Sequence, residues 1–175
     1  MMKYYLILSF IIILPCVSSS VVINEIMYDP SGADGGHEWI EIYNNGTEEV
    51  YLEGYVLFEA NTNHGLNLIQ GDDMIISEDE YIIIADNAQT FIQDYENFSR
   101  TVIDSSFSLL NTGEYIAIKN SDGNIVDFIS YNYSLGGNGN GMSLCRINNT
   151  WYECIPTPGR ENIGYQEQFY YVNRT

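Results

Sequence analysis

Strand follows strand along this sequence. VVINEIMY (21–28), EWIEIYN (38–44), YVLFEA (55–60), YIIIAD (81–86), EYIAIKN (114–120) and NIVDFISY (124–131) are β-branched and aromatic runs, and Gly, Asn, Asp and Ser separate them. In the second run Ile40 and Ile42 alternate with Trp39, Glu41 and Tyr43, and in the fifth Ile116 and Ile118 alternate with Tyr115, Ala117 and Lys119. A period of two with short spacers predicts antiparallel pairing in an all-β sandwich or barrel, because no long crossover helix is available. Only AQTFIQDY (88–95) has helical character, enough for about two turns. The Gly/Asn run 136–141 (GGNGNG) reads as a loop.

Polarity constrains one hairpin further. Asn120-Ser121-Asp122-Gly123 can close a two-residue or a three-residue loop. The shorter loop sets Asp127 opposite Ile118 on the core side. The longer one, a type I turn with Gly123 left-handed, gathers Ile116, Ile118, Val126 and Phe128 inward and leaves Lys119 and Asp127 outside. Burying an unpaired carboxylate costs several kcal/mol, so the three-residue loop is expected.

Residues 1–20 form a separate object. Lys3 precedes the apolar run Tyr4 to Leu14, Pro15 ends it, and Ser18 and Ser20 supply small residues for a cleavage before Val21. This is the layout of a secretory signal peptide, and it predicts a secreted or cell-surface protein without a membrane span in the mature chain. Removal of Cys16 leaves Cys145 and Cys154, an even pair in an oxidising setting. They lie in two strand-like runs around Asn148-Asn149-Thr150. A register with Cys145 facing Cys154 sets Arg146 against Glu153 and Ile147 against Tyr152, and a structural disulfide is expected.

Charge narrows the partners. The chain carries 24 acidic and 6 basic side chains, for a net charge of -18. Nucleic-acid affinity comes largely from Lys and Arg displacing counterions, so a nucleic-acid partner is not expected. With 45% apolar and 14% aromatic residues there is ample material for a core.

An ordered series of motifs points to a family. Ile23-Asn24-Glu25-Ile26-Met27-Tyr28 leads into a Gly/Asp loop and then Glu38-Trp39-Ile40-Glu41-Ile42-Tyr43-Asn44. Gly54-Tyr55, Ser108-Leu109-Leu110-Asn111-Thr112-Gly113-Glu114, Asp122-Gly123 with Val126-Asp127, Ser143-Leu144, and Thr157-Pro158-Gly159 with Asn162 complete it. In this order the chain resembles the lamin-tail domains of exported prokaryotic proteins over residues 21–163, leaving 164–175 as a short tail. The resemblance implies an immunoglobulin-like antiparallel β-sandwich and a binding or structural module, not an enzyme. Prokaryotic examples are often attached to secreted nucleases or other hydrolases. The heptads and basic surface of nuclear lamins are missing, so filament and chromatin roles are not carried over.

The residues agree that catalysis is not expected. His37 and His64 are the only histidines, and no nucleophile elbow, phosphate loop or HExxH pattern occurs. A hard cation is the one cofactor with a case: Asp29, Asp34 and Glu38 offer three carboxylates in one loop as a candidate calcium site. The competing reading is that Asp, Pro and Gly simply make turns there. Trp39, Tyr43 and Tyr115 are candidates for an outward aromatic patch that stacks on sugar or fills a protein interface; the competing reading, which is the commoner case, is that they pack under a loop of the same domain. Asn45, Asn97, Asn132, Asn148 and Asn173 head N-glycosylation sequons. Two functions follow as expectations. One is a non-catalytic secreted or surface binding module with an extracellular protein or glycan partner. The other is an accessory, sugar- or calcium-binding component of an extracellular hydrolase system.

Overall fold

A computed structural model describes residues 21–164. The expected signal peptide, the tail beyond residue 164 and the sequon at Asn173 lie outside the described residues.

The strands in chain order are β1 (Val21–Met27), β2 (Trp39–Asn44), β3 (Val50–Tyr51), β4 (Val56–Glu59), β5 (Thr62–Gly65), β6 (Asn67–Gln70), β7 (Ile75–Ile76) and β8 (Tyr81–Ala85). After helix α1 (Ala88–Asp94) come β9 (Val102–Asp104), β10 (Tyr115–Lys119), β11 (Ile125–Ser130), β12 (Ser143–Ile147) and β13 (Thr150–Cys154). A seven-stranded sheet in the order β13-β12-β1-β2-β8-β9-β6 packs on a four-stranded sheet in the order β11-β10-β4-β5, and β3 pairs with β7. Between the sheets lies the core, with Ile23, Ile26, Ile40, Ile42, Ile82 and Ile84 from the large sheet against Leu57, Ile116, Ile118 and Ile129 from the small one. The sandwich expected from period-two patterning is the observed architecture.

Pairing is antiparallel with one exception. β8 and β9 run parallel, with Ile83 beside Val102 and Ile84 beside Ile103, and the seven-residue α1 makes the crossover between them. Asn87 caps the helix through Oδ1, which accepts the Thr90 N–H at 3.1 Å. The helix packs on the sheet through one face. Its Ala88 and Phe91 pack with Met27, Trp39, Ile83, Ala85 and Val102 in a second core on the outer face of the large sheet.

A bulge in β1 sets which residues face which core. The β1–β2 register shifts between Ile23 and Glu25, so Ile23 pairs with Ile42, Glu25 with Glu41 and Ile26 with Ile40. Strict alternation would send Ile23 and Ile26 to opposite faces; the extra residue, Asn24, lets both enter the core. Glu25 and Glu41 consequently share the outer face.

Two hairpin expectations need correction. The loop after β10 is the expected three-residue turn: the Gly123 N–H donates to the Asn120 carbonyl at 2.9 Å, with Gly123 at φ 80°. However, a second irregularity follows, and the pairing moves from Lys119–Ile125 to Ile118–Asp127. Phe128 therefore turns outward opposite Ala117, and Ile129 takes the inner place opposite Ile116. Asp127 does reach the inner side, and it is not unpaired: its Oδ2 accepts the Ile23 N–H at 2.8 Å and Arg146 Nη1 at 2.6 Å. The premise that the carboxylate lacks a partner fails, because that partner comes from β12.

The β12–β13 register also differs by two residues. Asn148 and Asn149, at φ 50° and 61°, make a two-residue turn, so Ile147 faces Thr150, Cys145 faces Tyr152 and Ser143 faces Cys154. Both Asn adopt the left-handed conformation that this tight turn requires. Cys145 and Cys154 remain on one face and form a disulfide diagonally, with Cα atoms 6.1 Å apart. The expected Arg146–Glu153 pair is replaced by Arg146–Asp127, while Glu153 Oε2 accepts the Gly137 N–H at 2.7 Å.

Candidate functional site

The outer face of the large sheet is closed by its own chain. Glu25 and Glu41 are fully buried there. Glu25 Oε1 accepts the Ser143 hydroxyl and the Thr157 N–H (3.1 Å), and its Oε2 accepts the Thr157 hydroxyl at 3.1 Å. Glu41 Oε2 accepts the Gly159 N–H at 2.5 Å and its Oε1 accepts Asn24 Nδ2 at 2.7 Å. Asn162 Nδ2 completes the strap by donating to the carbonyls of Asn24 (2.9 Å) and Arg146 (3.1 Å). Gly159, at φ 76°, lies so close to the neighbouring loop that a Cβ would meet Phe98 at 2.9 Å and Arg100 at 3.0 Å. The motifs at both ends of the chain thus hold one another, a role no local pattern in the sequence announces.

The small sheet, by contrast, leaves its outer face open. Phe128 is 56% exposed, Ile125 52% and Tyr115 36%. Tyr115 lies 5.4 Å from Phe128 and 6.4 Å from Phe58, measured between ring centroids. Lys119 Nζ sits 3.3 Å from the Phe58 ring centroid and donates to Asn63 Oδ1 at 3.1 Å. Alternation along β10 produces this face directly: Ile116 and Ile118 point into the core, and Tyr115, Ala117 and Lys119 point out. The result is an aromatic surface with one cation at its edge.

The structure separates the three aromatics expected to act together. Trp39 is 1% exposed. It lies beneath α1, edge-on to Phe91 and Tyr95 at 5.9 and 6.0 Å. Its place opposite the inner isoleucines was read correctly, but α1 covers that side of the sheet. Tyr43 stacks on Tyr81 at 4.6 Å and donates to Asp79 Oδ1 at 2.5 Å; that hydrogen bond to a carboxylate pushes its pKa up to about 12. Tyr115 belongs to the other sheet. Of its partners there, Phe128 was missed because the hairpin register placed it inside, and nothing in the run YVLFEA singled out Phe58.

Two of the three candidate calcium ligands hold other partners through their carboxylates. Asp34 Oδ2 accepts Asn111 Nδ2 at 3.0 Å, and Glu38 Oε2 accepts the Leu109 N–H at 2.9 Å. Burial pushes the Glu38 carboxyl up to about 8, with Asp86, Asp34 and Glu114 adding to the rise. Asp29 is held above its usual range by burial and by Asp34, and its carbonyl accepts the Gly139 N–H. Among the described residues no group of three or more His, Cys, Asp or Glu is gathered as a metal site would need. His37 and His64 are far from one another in partners: His37 Nδ1 meets Asp94 Oδ2 at 2.6 Å, and His64 Nε2 approaches Glu59 Oε1 at 3.0 Å. The sequon residues Asn45, Asn97, Asn132 and Asn148 are all exposed. Among the described residues no helix is long and apolar enough to cross a membrane.

Comparison with known proteins adds one positive result. The family model described as Lamin Tail Domain matches residues 17–133. No curated protein and no solved structure matches the chain.

Proposed function

The chain belongs to the lamin tail domain family, an immunoglobulin-like, non-enzymatic fold family, and from that premise we propose that it works as an extracellular binding module. The observation that carries the proposal is the open aromatic face of Phe58, Tyr115 and Phe128 on the small sheet. On the large sheet, by contrast, α1 covers the apolar side around Trp39. Exposed large aromatics in contact with each other are the usual material of interface centres, where they bury much area at small cost in side-chain entropy. The apolar leader at residues 4–14 supports action outside the cell. The net charge of -18 disfavours nucleic acid, and a surface protein or glycan remains the partner class.

Retention on intact cell-surface material tests the reading. Labelled protein should be retained, and Tyr115→Ser with Phe128→Ser should lose at least tenfold of that retention while the melting temperature stays within a few degrees. Equal retention of the variant would reject this face as the binding surface. The alternative, an accessory sugar- or calcium-binding role beside an extracellular hydrolase, predicts retention on a glycan column.

A further inference from the structure

A cavity of about 740 Å³ opens where the loop after α1 meets the C-terminal strap. Its apolar wall is Tyr95, Phe98, Pro156 and Pro158, and Arg100 and Arg160 also line it. Those two arginines are half of the four cationic side chains among the described residues, the others being Lys119 and Arg146. Arg146 is committed to Asp127 and Lys119 to Phe58 and Asn63. Arg100 and Arg160, in a chain where acids outnumber bases 24 to 6, form no ion pair with a carboxylate among the described residues. Arg100 lies 5.7 Å from the Tyr81 ring centroid instead. The buried carboxylates beneath hold backbone donors of the strap, Glu25 that of Thr157 and Glu41 that of Gly159, and feel the charges of Arg160 and Arg100 without an ion-pair contact to either. Asp94, also in the wall, is bound to His37. Among the described residues no partner is found for Glu96, the other acidic residue of the lining.

We propose that this cavity binds a sugar ring carrying a single carboxylate, a uronic acid residue, with the carboxylate between Arg100 and Arg160. A guanidinium offers a planar fork of donors that matches a carboxylate and binds it more tightly than a neutral acceptor. The volume suits a small ligand, and the Tyr95, Phe98 and proline wall suits the apolar face of a ring. Three backbone donors of the kind that capture the carboxylate of a peptide end are already used: the Phe98 N–H goes to Tyr95, the Arg160 N–H to Thr157 and the Gly159 N–H to Glu41. What remains in the wall is Gln93, Asn97 and Ser99, side chains that both donate and accept, as hydroxyl-rich ligands require. The overall negative charge favours one acidic residue among neutral sugars over a continuous polyanion.

The test uses the purified protein, made without glycan on Asn97, and titration with methyl glucuronoside followed by backbone amide NMR. Methyl glucoside and an acetylated dipeptide with a free carboxylate are the comparison ligands. The expected result is saturable shifts confined to residues 93–100 and 156–160 with the uronoside, and none with the neutral glucoside. Arg160→Gln and Arg100→Gln should each weaken binding at least tenfold while the amide spectrum keeps its folded dispersion, and Glu96→Gln should tighten it. Binding of the dipeptide as tight as the uronoside would overturn the sugar assignment. Absence of shifts at tens of millimolar uronoside, or shifts indifferent to both arginine variants, would overturn the site altogether.

Discussion

Glu25 and Glu41 are cross-strand partners on the outer face of the large sheet, and each accepts a backbone N–H from the same C-terminal loop, Thr157 for one and Gly159 for the other. Two carboxylates side by side in a buried place are electrostatically opposed. Burial pushes Glu25 up to about 7 against its hydrogen bonds from Ser143 and Thr157. Burial and the adjacent Glu25 push Glu41 up to about 8. The strap that closes the fold therefore depends on protonation.

Stability should fall as pH rises. Both folded-state pKa values exceed the ordinary value of 4.5, so the unfolded chain ionises first and the folded state resists ionisation. The loss begins near pH 4.5, grows up to about pH 8 and then levels off, at roughly 1.4 kcal/mol per unit of displacement for each group. Glu38, raised to about 8 by burial, acts in the same direction. Urea midpoints at pH 5 and pH 8 should differ more in the wild type than in Glu25→Gln/Glu41→Gln. An equal difference in both would show that these carboxylates do not titrate in this window.

Breaking the bridge between the sheets should cost more than a surface ion pair. Arg146 and Asp127 are 20% and 15% exposed at their side chains, and Asp127 also holds the Ile23 N–H. Asp127→Ala should destabilise by about 2–4 kcal/mol, because it orphans both a guanidinium and a backbone donor. Chemical denaturation of Asp127→Ala checks it, and a loss below about 1 kcal/mol would place the pair with ordinary surface bridges.

Reduction of the Cys145–Cys154 disulfide should add two hydrogens to the intact mass and lower stability by about 2.5–3 kcal/mol, as expected for a closed loop of about ten residues. Two free thiols in the native protein would contradict the bond.

Trp39 distinguishes an internal from an external aromatic. With 1% exposure beneath α1, its fluorescence should resist iodide quenching, and Trp39→Ala should cost about 3–5 kcal/mol. Because Trp151 is partly exposed, the measurement belongs in a Trp151→Phe background. Full quenching there would mean that α1 does not cover Trp39.

The fold was legible in the sequence because period-two alternation survives in β10, and the β-branched runs between turns mark the strands of the sandwich. Residues whose role depends on an irregularity were not legible. Asn24 and Val126 look like ordinary strand residues, yet the bulges beside them decide that Glu25 meets Glu41 and that Phe128 faces outward. A bulge has no fixed composition, and one extra residue reverses every face after it. The choice for Trp39 between an outward patch and cover by its own domain was not legible for a related reason: alternation shows which side chains oppose each other, not whether a second layer covers the far side. The carboxylates that hold the strap were visible only as parts of recurring motifs, since their partners lie more than a hundred residues away in Thr157 and Gly159.

The most direct measurement of the central proposal is amide hydrogen exchange of the protein alone and in the presence of cell-surface material to which it is retained. Binding through the open face of the small sheet predicts added protection in β10 and β11, around Tyr115 and Phe128, with α1 and the turn at Glu78-Asp79-Glu80 unchanged. Protection confined to α1 and the large sheet, with β10 and β11 unaltered, would contradict it.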